Sequence, residues 1–313
     1  MNSAVLLVIF RRPTTTRRVF EAIRDAQPPR LYIAADGPRV GHLDDETLCA
    51  ESRAIVEHID WPCEVVRLYR DANVGLRTNI TDALDTFLGA EGEGIILEDD
   101  TLPSKGFFEY CDEMLARYRH DERVGVVSGY NPVLSSPIPP DRHDFSQLPM
   151  IWGWATWQRA WIGNGTTFDE WPGDDSNFPT SIQRCFGASK QWIENLERVR
   201  SGDLKTVWSY PFFYHCWAND LLAVIPGRSL TINIGYDADA THTIAVVPPR
   251  HVRTLRLTEG HLPREPAGQV EAAPRLDARM LAGYYKLGRV AAARQLLAPL
   301  RNRIWGSRVV RPK

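Results

Sequence analysis

The sequence contains few cysteines, and they are not arranged in pairs. There are five, they are widely spaced, and no CxxC motif occurs. This usage is typical of a reducing compartment and predicts no disulfide framework. The eight histidines do not cluster at zinc-ligand spacing and no HExxH run is present, so a structural zinc site is not predicted.

Long apolar runs are also missing. The run Ala4–Phe10 follows three residues that include no lysine or arginine. A signal peptide has a basic flank, and a membrane-spanning helix needs about 20 apolar residues. We therefore expect this run to be a first buried strand. The expected location is the cytoplasm, with a peripheral position at the inner face of the membrane as a further possibility.

The formal net charge of −2 conceals an asymmetry along the chain. Arg250–Lys313 holds 14 lysines and arginines against four acidic residues, whereas residues 1–249 are acidic. Two readings of this basic and mainly helical tail stay open. It packs on the body with its arginines in water, or it contacts anionic lipid as a peripheral anchor. We expect a domain over residues 1–248 and a helical appendage over residues 249–313.

Strand-like and helix-like segments alternate over the first 130 residues. Short apolar runs at 4–10, 31–35, 64–69, 94–98 and 124–128 are separated by segments with helical spacing. This order predicts an α/β fold with a mostly parallel sheet flanked by helices. Asn131–Pro149 contains five prolines and is expected to be a long irregular loop. Strand character returns at Leu221–Ile234.

An acidic triplet follows one of the predicted strands. The segment GIILEDDTLPS places Glu98, Asp99 and Asp100 at a strand end, where open α/β sheets bind ligands. Adjacent carboxylates repel one another, and Mn²⁺ or Mg²⁺ would relieve the repulsion and hold a diphosphate. The alternative is a solvated acidic turn.

The segment LEDDTLPSKGFFEYCDEML resembles the metal-binding stretch of nucleotide-sugar transferases with the GT-A fold. The likeness is greatest to N-acetylglucosaminyltransferase I and related bacterial transferases. FRRPTTTRRVFEAI and AADGP resemble that family's first two strand ends, in the same order. GWATW, WANDLLAVIP and NIGYDADATHT continue the likeness. It covers about residues 1–245 and implies a GT-A fold.

The resemblance also implies site roles. Asp100 corresponds to the metal-ligating aspartate, Asp99 to the donor-ribose contact and Glu98 to the donor-sugar contact. Arg12 and Asp36 fall at the turns that hold the uracil ring. A uracil edge offers one N–H donor between two carbonyl acceptors, so a carboxylate and a guanidinium complement it.

Two further positions are candidates near these motifs. Trp154, in the segment of Trp152 and Gly153, is expected to stack on a sugar ring, although a core position is the alternative. His242 is a candidate ligand for the metal or the diphosphate, against the alternative of a structural histidine.

The catalytic base is open. Related bacterial sequences carry a Trp-Asp pair where this chain has Trp208-Ser209, and serine does not accept a proton at neutral pH without a base of its own. The nearby candidates are Asp203, His215 and Asp220. Alternatively the base lies elsewhere, the enzyme is slow, or the site is no longer catalytic.

The expected activity is metal-dependent transfer of a sugar to a glycan or lipid-linked sugar. The resemblance implies a UDP-sugar as donor, first of all UDP-GlcNAc, and inversion of stereochemistry. A nucleotidyltransferase is the first alternative. It would need a glycine-rich turn after the first strand to hold a triphosphate, whereas this chain has Arg11-Arg12-Pro13 there. A non-catalytic nucleotide- or glycan-binding protein is the second alternative. No nucleic-acid partner is predicted.

Overall fold

Strands and helices alternate along the chain, as the computed structural model shows for residues 1–236 and 262–287. The strands are β1 Val5–Ile9, β2 Arg30–Ala35, β3 Glu64–Tyr69, β4 Glu93–Glu98, β5 Thr101–Pro103, β6 Val124–Ser128, β7 Arg142–Ser146, β8 Trp154–Trp157, β9 Leu222–Pro226, β10 Thr231–Asn233 and β11 Glu265–Pro266. The helices are α1 Pro13–Ala26, α2 Asp45–Val56, α3 Leu76–Glu91, α4 Lys105–Tyr118, α5 Gln158–Trp161, α6 Asn164–Asp169, α7 Thr180–Gln183, α8 Ala188–Arg200, α9 Ser209–Ala218 and α10 Pro274–Gly283.

The amino-terminal half forms four adjacent parallel strands in the order β3-β2-β1-β4. Strand β1 is buried on both sides because its side chains alternate between two cores. Leu6 packs with α3 residues such as Leu84, and Leu7 packs with α1 residues such as Ile23. The predicted α/β fold with helices on both faces is confirmed.

The second half of the sheet is mixed rather than simply parallel. Among the described residues, the sheet has nine strands in the order β11-β7-β9-β6-β8-β4-β1-β2-β3. Strand β8 lies antiparallel between β4 and β6, two strands that the alternating pattern would place side by side. Five of the eight strand pairs are parallel, so the sheet is still mostly parallel.

The proline-rich stretch is not entirely irregular, which corrects the expectation for Asn131–Pro149. Within it, β7 pairs antiparallel with β9, and its partners run from His143 opposite Pro226 to Ser146 opposite Ala223. The stretch therefore contributes a strand near one edge of the sheet, where its backbone hydrogen bonds are satisfied.

Residues 262–287 belong to the same core as the amino-terminal part. Strand β11 extends the sheet beside β7, and Leu276, Met280 and Leu281 of α10 are buried in the core. The described part of the expected appendage is thus packed against the body. The expected boundary at residue 248 lies outside the described residues, as do most of the tail arginines. In the described ranges, no helix is long and apolar enough to cross a membrane.

Candidate active site

The acidic triplet lies where β4 leaves the large sheet. Glu98 is the last residue of β4 and pairs with Val8 of β1. The chain then enters β5, which forms a separate two-stranded sheet with β10. The Ile234 N–H, just after β10, donates to the Asp100 carbonyl at 2.7 Å. The triplet is therefore held between two sheets at the carboxyl edge of the parallel strands.

Arg12 forms an ion pair with this triplet. Its Nη1 lies 2.6 Å from Asp100 Oδ2 and 3.4 Å from Asp99 Oδ1. The Phe10 N–H donates to Asp99 Oδ2 at 3.2 Å. Because Arg12 follows β1 directly, the parallel pairing of β1 with β4 brings its guanidinium to the carboxylates. In this geometry Arg12 balances negative charge, a contact that the sequence did not predict.

Glu98 shows that negative charge remains in excess at the site. Burial, as the largest cause, and the carboxylates of Asp100 and Asp99 together raise its pKa to about 8, although Arg12 acts in the opposite direction. A pKa raised by like charges means that a cation placed among them would be stabilised. The oxygen ligands suit a hard ion such as Mg²⁺ or Mn²⁺.

Gly235 lies so close to Asp100 that a side chain at position 235 would clash with it. A Cβ built on Gly235 would lie 2.3 Å from Asp100 Oδ2 and 2.7 Å from Asp100 Cβ. The Gly235 N–H donates to Asn233 Oδ1 at 2.9 Å, so β10 and its exit turn approach the carboxylate closely. Any other residue at 235 would occupy the position that Asp100 takes.

Asp36 is buried and fully engaged by the turn that precedes α3. Its Oδ1 accepts from the N–H groups of Gly37 and Val74, each at 2.9 Å. Its Oδ2 accepts from Asn73 Nδ2 at 2.9 Å and from the Gly75 N–H at 3.0 Å. The carboxylate thus holds two turns together at the rim of the site. The predicted contact of Asp36 with a base stays a prediction.

These residues line one cavity of about 330 Å³. Arg12, Asp36, Glu98, Asp99 and Asp100 all contribute to its wall, so the structure brings together five of the seven residues predicted to bind metal or donor. Sequence reasoning missed other polar wall residues, which are Arg39, Asn73, Asn79, Thr206 and Asn233. For Asn73 a signal existed, since DANVG at 71–75 is a turn-forming segment.

Trp152, not Trp154, faces this cavity. Trp154 is 1% exposed and packs in the core against Trp208 and Phe212, which corrects its expected role in sugar stacking. Gly153 between the two tryptophans has a φ of +72°, and this left-handed turn separates their directions. Trp152 is half-buried and lines the cavity wall.

His215 is a structural histidine in this geometry, which corrects its expected role as a base. It is 4% exposed. Its Nε2 contacts the Ala160 carbonyl at 3.0 Å and its Nδ1 contacts Thr167 Oγ1 at 3.1 Å. Burial lowers its pKa, so the ring is neutral and both nitrogens are used by the fold.

The two acidic candidates for the base are exposed, and the structure separates them. Ser209 begins α9 and Asp220 follows its carboxyl end. Because ten helical residues span about 15 Å, Asp220 lies far from Ser209. Asp220 lines a different, smaller pocket. Asp203 lies on the segment that leads to the cavity residue Thr206 and accepts from Ser201 Oγ at 3.0 Å.

Of the two predicted metal ligands, Asp100 lies within the described residues and His242 lies outside them. Within residues 1–236 and 262–287, no three histidine, cysteine or acidic side chains converge in a metal-binding group. The excess of negative charge around Asp100 would favour a bound cation, and metal binding stays a prediction.

Comparison with solved structures gives remote likenesses, of which one is described here. No protein-family model matches the chain, and neither does any curated protein. Among solved structures, apo mouse xyloside xylosyltransferase 1 is similar over 71% of this chain and 84% of its own, at 10% identity and a TM-score of 0.33. The comparison does not single out the N-acetylglucosaminyltransferase I family. So remote a likeness assigns no activity to this chain.

Proposed function

We propose that this protein is a metal-dependent glycosyltransferase that uses a UDP-sugar as donor. The observation that carries the proposal is the convergence of Arg12 with Glu98, Asp99 and Asp100 in a single cavity at the carboxyl edge of the parallel strands. Ligands of open α/β folds bind at this edge. A cavity of about 330 Å³ also falls in the size range of small-molecule sites.

The residues suit the parts of such a donor. Asp100, with His242 as the expected second ligand, would hold Mn²⁺ or Mg²⁺, which would neutralise the departing diphosphate. The ion pair of Arg12 with Asp100 supports a role beside the diphosphate instead of the uracil contact that the resemblance implies, and Arg12 would donate to the phosphate oxygens once Asp100 engages the cation. Asp36 and Asn73 also line the cavity, and a nucleoside would lie against them.

In the reaction, an acceptor hydroxyl oxygen bonds to the anomeric carbon while the bond from that carbon to the diphosphate breaks. The diphosphate leaves with the electron pair, and the hydroxyl proton passes to a base. Of the three candidates for this base, Asp203 alone lies on a segment that reaches the cavity. UDP-GlcNAc is the first donor to test, with a glycan or lipid-linked sugar as acceptor.

Titration calorimetry with UDP, with and without Mn²⁺, tests the proposal. We expect metal-dependent binding in the parent, and a loss of about tenfold or more in Asp100→Asn, because a neutral amide is a poorer ligand for a hard cation. Asp220→Asn is the matched control, since Asp220 lies away from the cavity. Binding without metal dependence, or equal affinity in Asp100→Asn and the parent, would refute the metal site.

A non-catalytic nucleotide- or glycan-binding protein is the second candidate. It is favoured by one observation: Asp203, His215 and Asp220 do not themselves line the cavity. Mass spectrometry of donor turnover separates the two functions. UDP binding without transfer or donor hydrolysis, across a panel of UDP-sugars and acceptors, would assign the non-catalytic role.

A further inference from the structure

The described part of the carboxyl-terminal segment, residues 262–287, contacts a residue of the cavity wall through the side chain of Tyr284. Tyr284 follows α10 directly and lies edge-on to Trp152, with ring centroids 5.8 Å apart and planes at 84°. Tyr130, after β6, approaches Trp152 to 4.7 Å and Tyr284 to 6.1 Å. Three rings from distant parts of the chain therefore form one cluster, which we call the Trp152 cluster.

Of these three rings, Trp152 is the one that lines the cavity. Tyr130 is 1% exposed, and Trp152 is half-buried and shares the cavity wall with Glu98, Asp100 and Asn233. An indole presents a flat apolar surface with little conformational freedom once it is supported from behind. Next to it stand carboxylate and amide oxygens that accept hydrogen bonds. This combination complements a pyranose ring, which has an apolar C–H face and hydroxyl donors at its rim.

The support behind Trp152 is itself firmly anchored. Helix α10 is fixed by Leu276, Met280 and Leu281 in the core, and Ser146 Oγ donates to Asp277 Oδ1 at 2.5 Å. The backbone of Trp152 is held on the other side, since its carbonyl accepts from Thr231 Oγ1 of β10. The indole is therefore fixed in orientation by α10 and in position by β10.

We propose that Trp152 is a stacking platform for a pyranose ring and that Tyr284 is the positioning residue that holds it. This inference deepens the proposed function and rests on it for the identity of the ring. The ring is either the sugar of the UDP-sugar or the acceptor sugar. In both cases residues beyond 262 complete the site, although the likeness to sugar transferases ends near residue 245.

The test compares the full-length parent with four variants, Trp152→Leu, Tyr284→Leu, Tyr284→Phe and Tyr285→Leu. Tyr285→Leu is the matched control, because Tyr285 packs on Trp192, at 5.6 Å, and on the Tyr284 ring, at 5.0 Å, instead of on Trp152. It therefore removes a neighbouring aromatic ring without removing a ring contact of Trp152. Tyr284→Phe keeps the ring and should behave like the parent. Trp152→Leu changes a half-buried wall residue and should fold even if Tyr284→Leu does not.

Calorimetry with UDP and with a panel of UDP-sugars, in Mn²⁺, gives the first readout. We expect the parent to bind at least one UDP-sugar about tenfold tighter than UDP. That ratio should fall to about one in Trp152→Leu and Tyr284→Leu, with the affinity for UDP itself unchanged, and should persist in the two other variants. This result assigns the platform to the donor sugar.

Saturation-transfer NMR with methyl pyranosides, in the presence of UDP and Mn²⁺, gives the second readout. If the UDP-sugar ratio is unchanged but transfer to the pyranoside C–H protons is lost in Trp152→Leu and Tyr284→Leu, the platform belongs to the acceptor. If neither readout changes in Trp152→Leu, the inference is overturned, while UDP binding by the parent leaves the proposed function standing. If the parent binds no UDP but its pyranoside signal depends on both residues, the proposed function falls and the platform stands.

Discussion

Gly235 offers a sharp test of the geometry around Asp100. In Gly235→Ala the new methyl carbon would lie 2.3 Å from Asp100 Oδ2, 2.7 Å from its Cβ and 2.9 Å from its Cγ. Carbon atoms in contact are normally about 3.5–4.0 Å apart. A gap of about 1 Å must therefore open, and rotating the carboxylate alone does not relieve the contact with Cβ. Either Asp100 or the exit of β10 has to move.

The cost of this movement can be estimated. Overpacking by a methyl group typically costs about 1–3 kcal/mol. Moving Asp100 would also weaken its 2.6 Å ion pair with Arg12. We therefore expect the melting temperature to fall by roughly 2–10 °C, and metal-dependent UDP binding to weaken by about tenfold or more, since the expected metal ligand is displaced.

Gly89→Ala is the matched control, because Gly89 is an exposed residue of α3 whose added Cβ would meet nothing within 4 Å. It should keep parental binding and gain about 0.5–1 kcal/mol of helix stability. Differential scanning fluorimetry and calorimetry measure both variants. If Gly235→Ala binds UDP and Mn²⁺ like the parent, Asp100 is not the metal ligand in the position described.

Three further predictions concern charge and burial. Arg12→Gln should lower the melting temperature at neutral pH, because the carboxylates lose their counter-ion. Adding Mn²⁺ should then raise the melting temperature of the variant more than that of the parent, and equal shifts would contradict this. His215→Ala should lose about 1–3 kcal/mol in denaturant unfolding, from unsatisfied buried partners, with UDP affinity in calorimetry unchanged; weaker UDP binding would return His215 to the site. Burial raises the pKa of Asp277 to about 6 from 3.8, so its contribution to stability is present below about pH 4 and is lost as the pH rises through 6. Asp277→Asn should therefore match the parent in denaturant unfolding at pH 4 and exceed it at pH 7.5, and equal stability at both values would show that the charged form is not penalised.

Much of the amino-terminal half could be predicted from the sequence, because each parallel strand there is a local apolar run that ends in a turn. The strand bounds at Glu64–Tyr69 and Val124–Ser128 agree with the prediction. Strand β8 could not be placed, because four residues carry little periodicity and its partners β4 and β6 are chosen by packing. The polar segment Arg142–Ser146 becomes a strand for the same reason.

The site was predictable in its carboxylates and less so in its aromatic wall. Glu98, Asp99 and Asp100 are marked by their position after an apolar strand. Which of Trp152 and Trp154 lines the cavity depends on the backbone of Gly153. Its positive φ cannot be predicted from the residue pattern. The ion pair of Arg12 with Asp100 depends on the register of β1 against β4, which is a tertiary property.

The position of β11 has a consequence for the order in which the chain can fold during synthesis. The strands β1 to β4 all lie within the first 98 residues and can associate as the chain leaves the ribosome. Strand β7, in contrast, is hydrogen-bonded to β9 on one side and to β11 on the other, about 80 and 120 residues later in the chain. Contacts of such long sequence separation form slowly. A chain that ends before residue 262 therefore leaves β7 as an unprotected sheet edge, which is a template for aggregation.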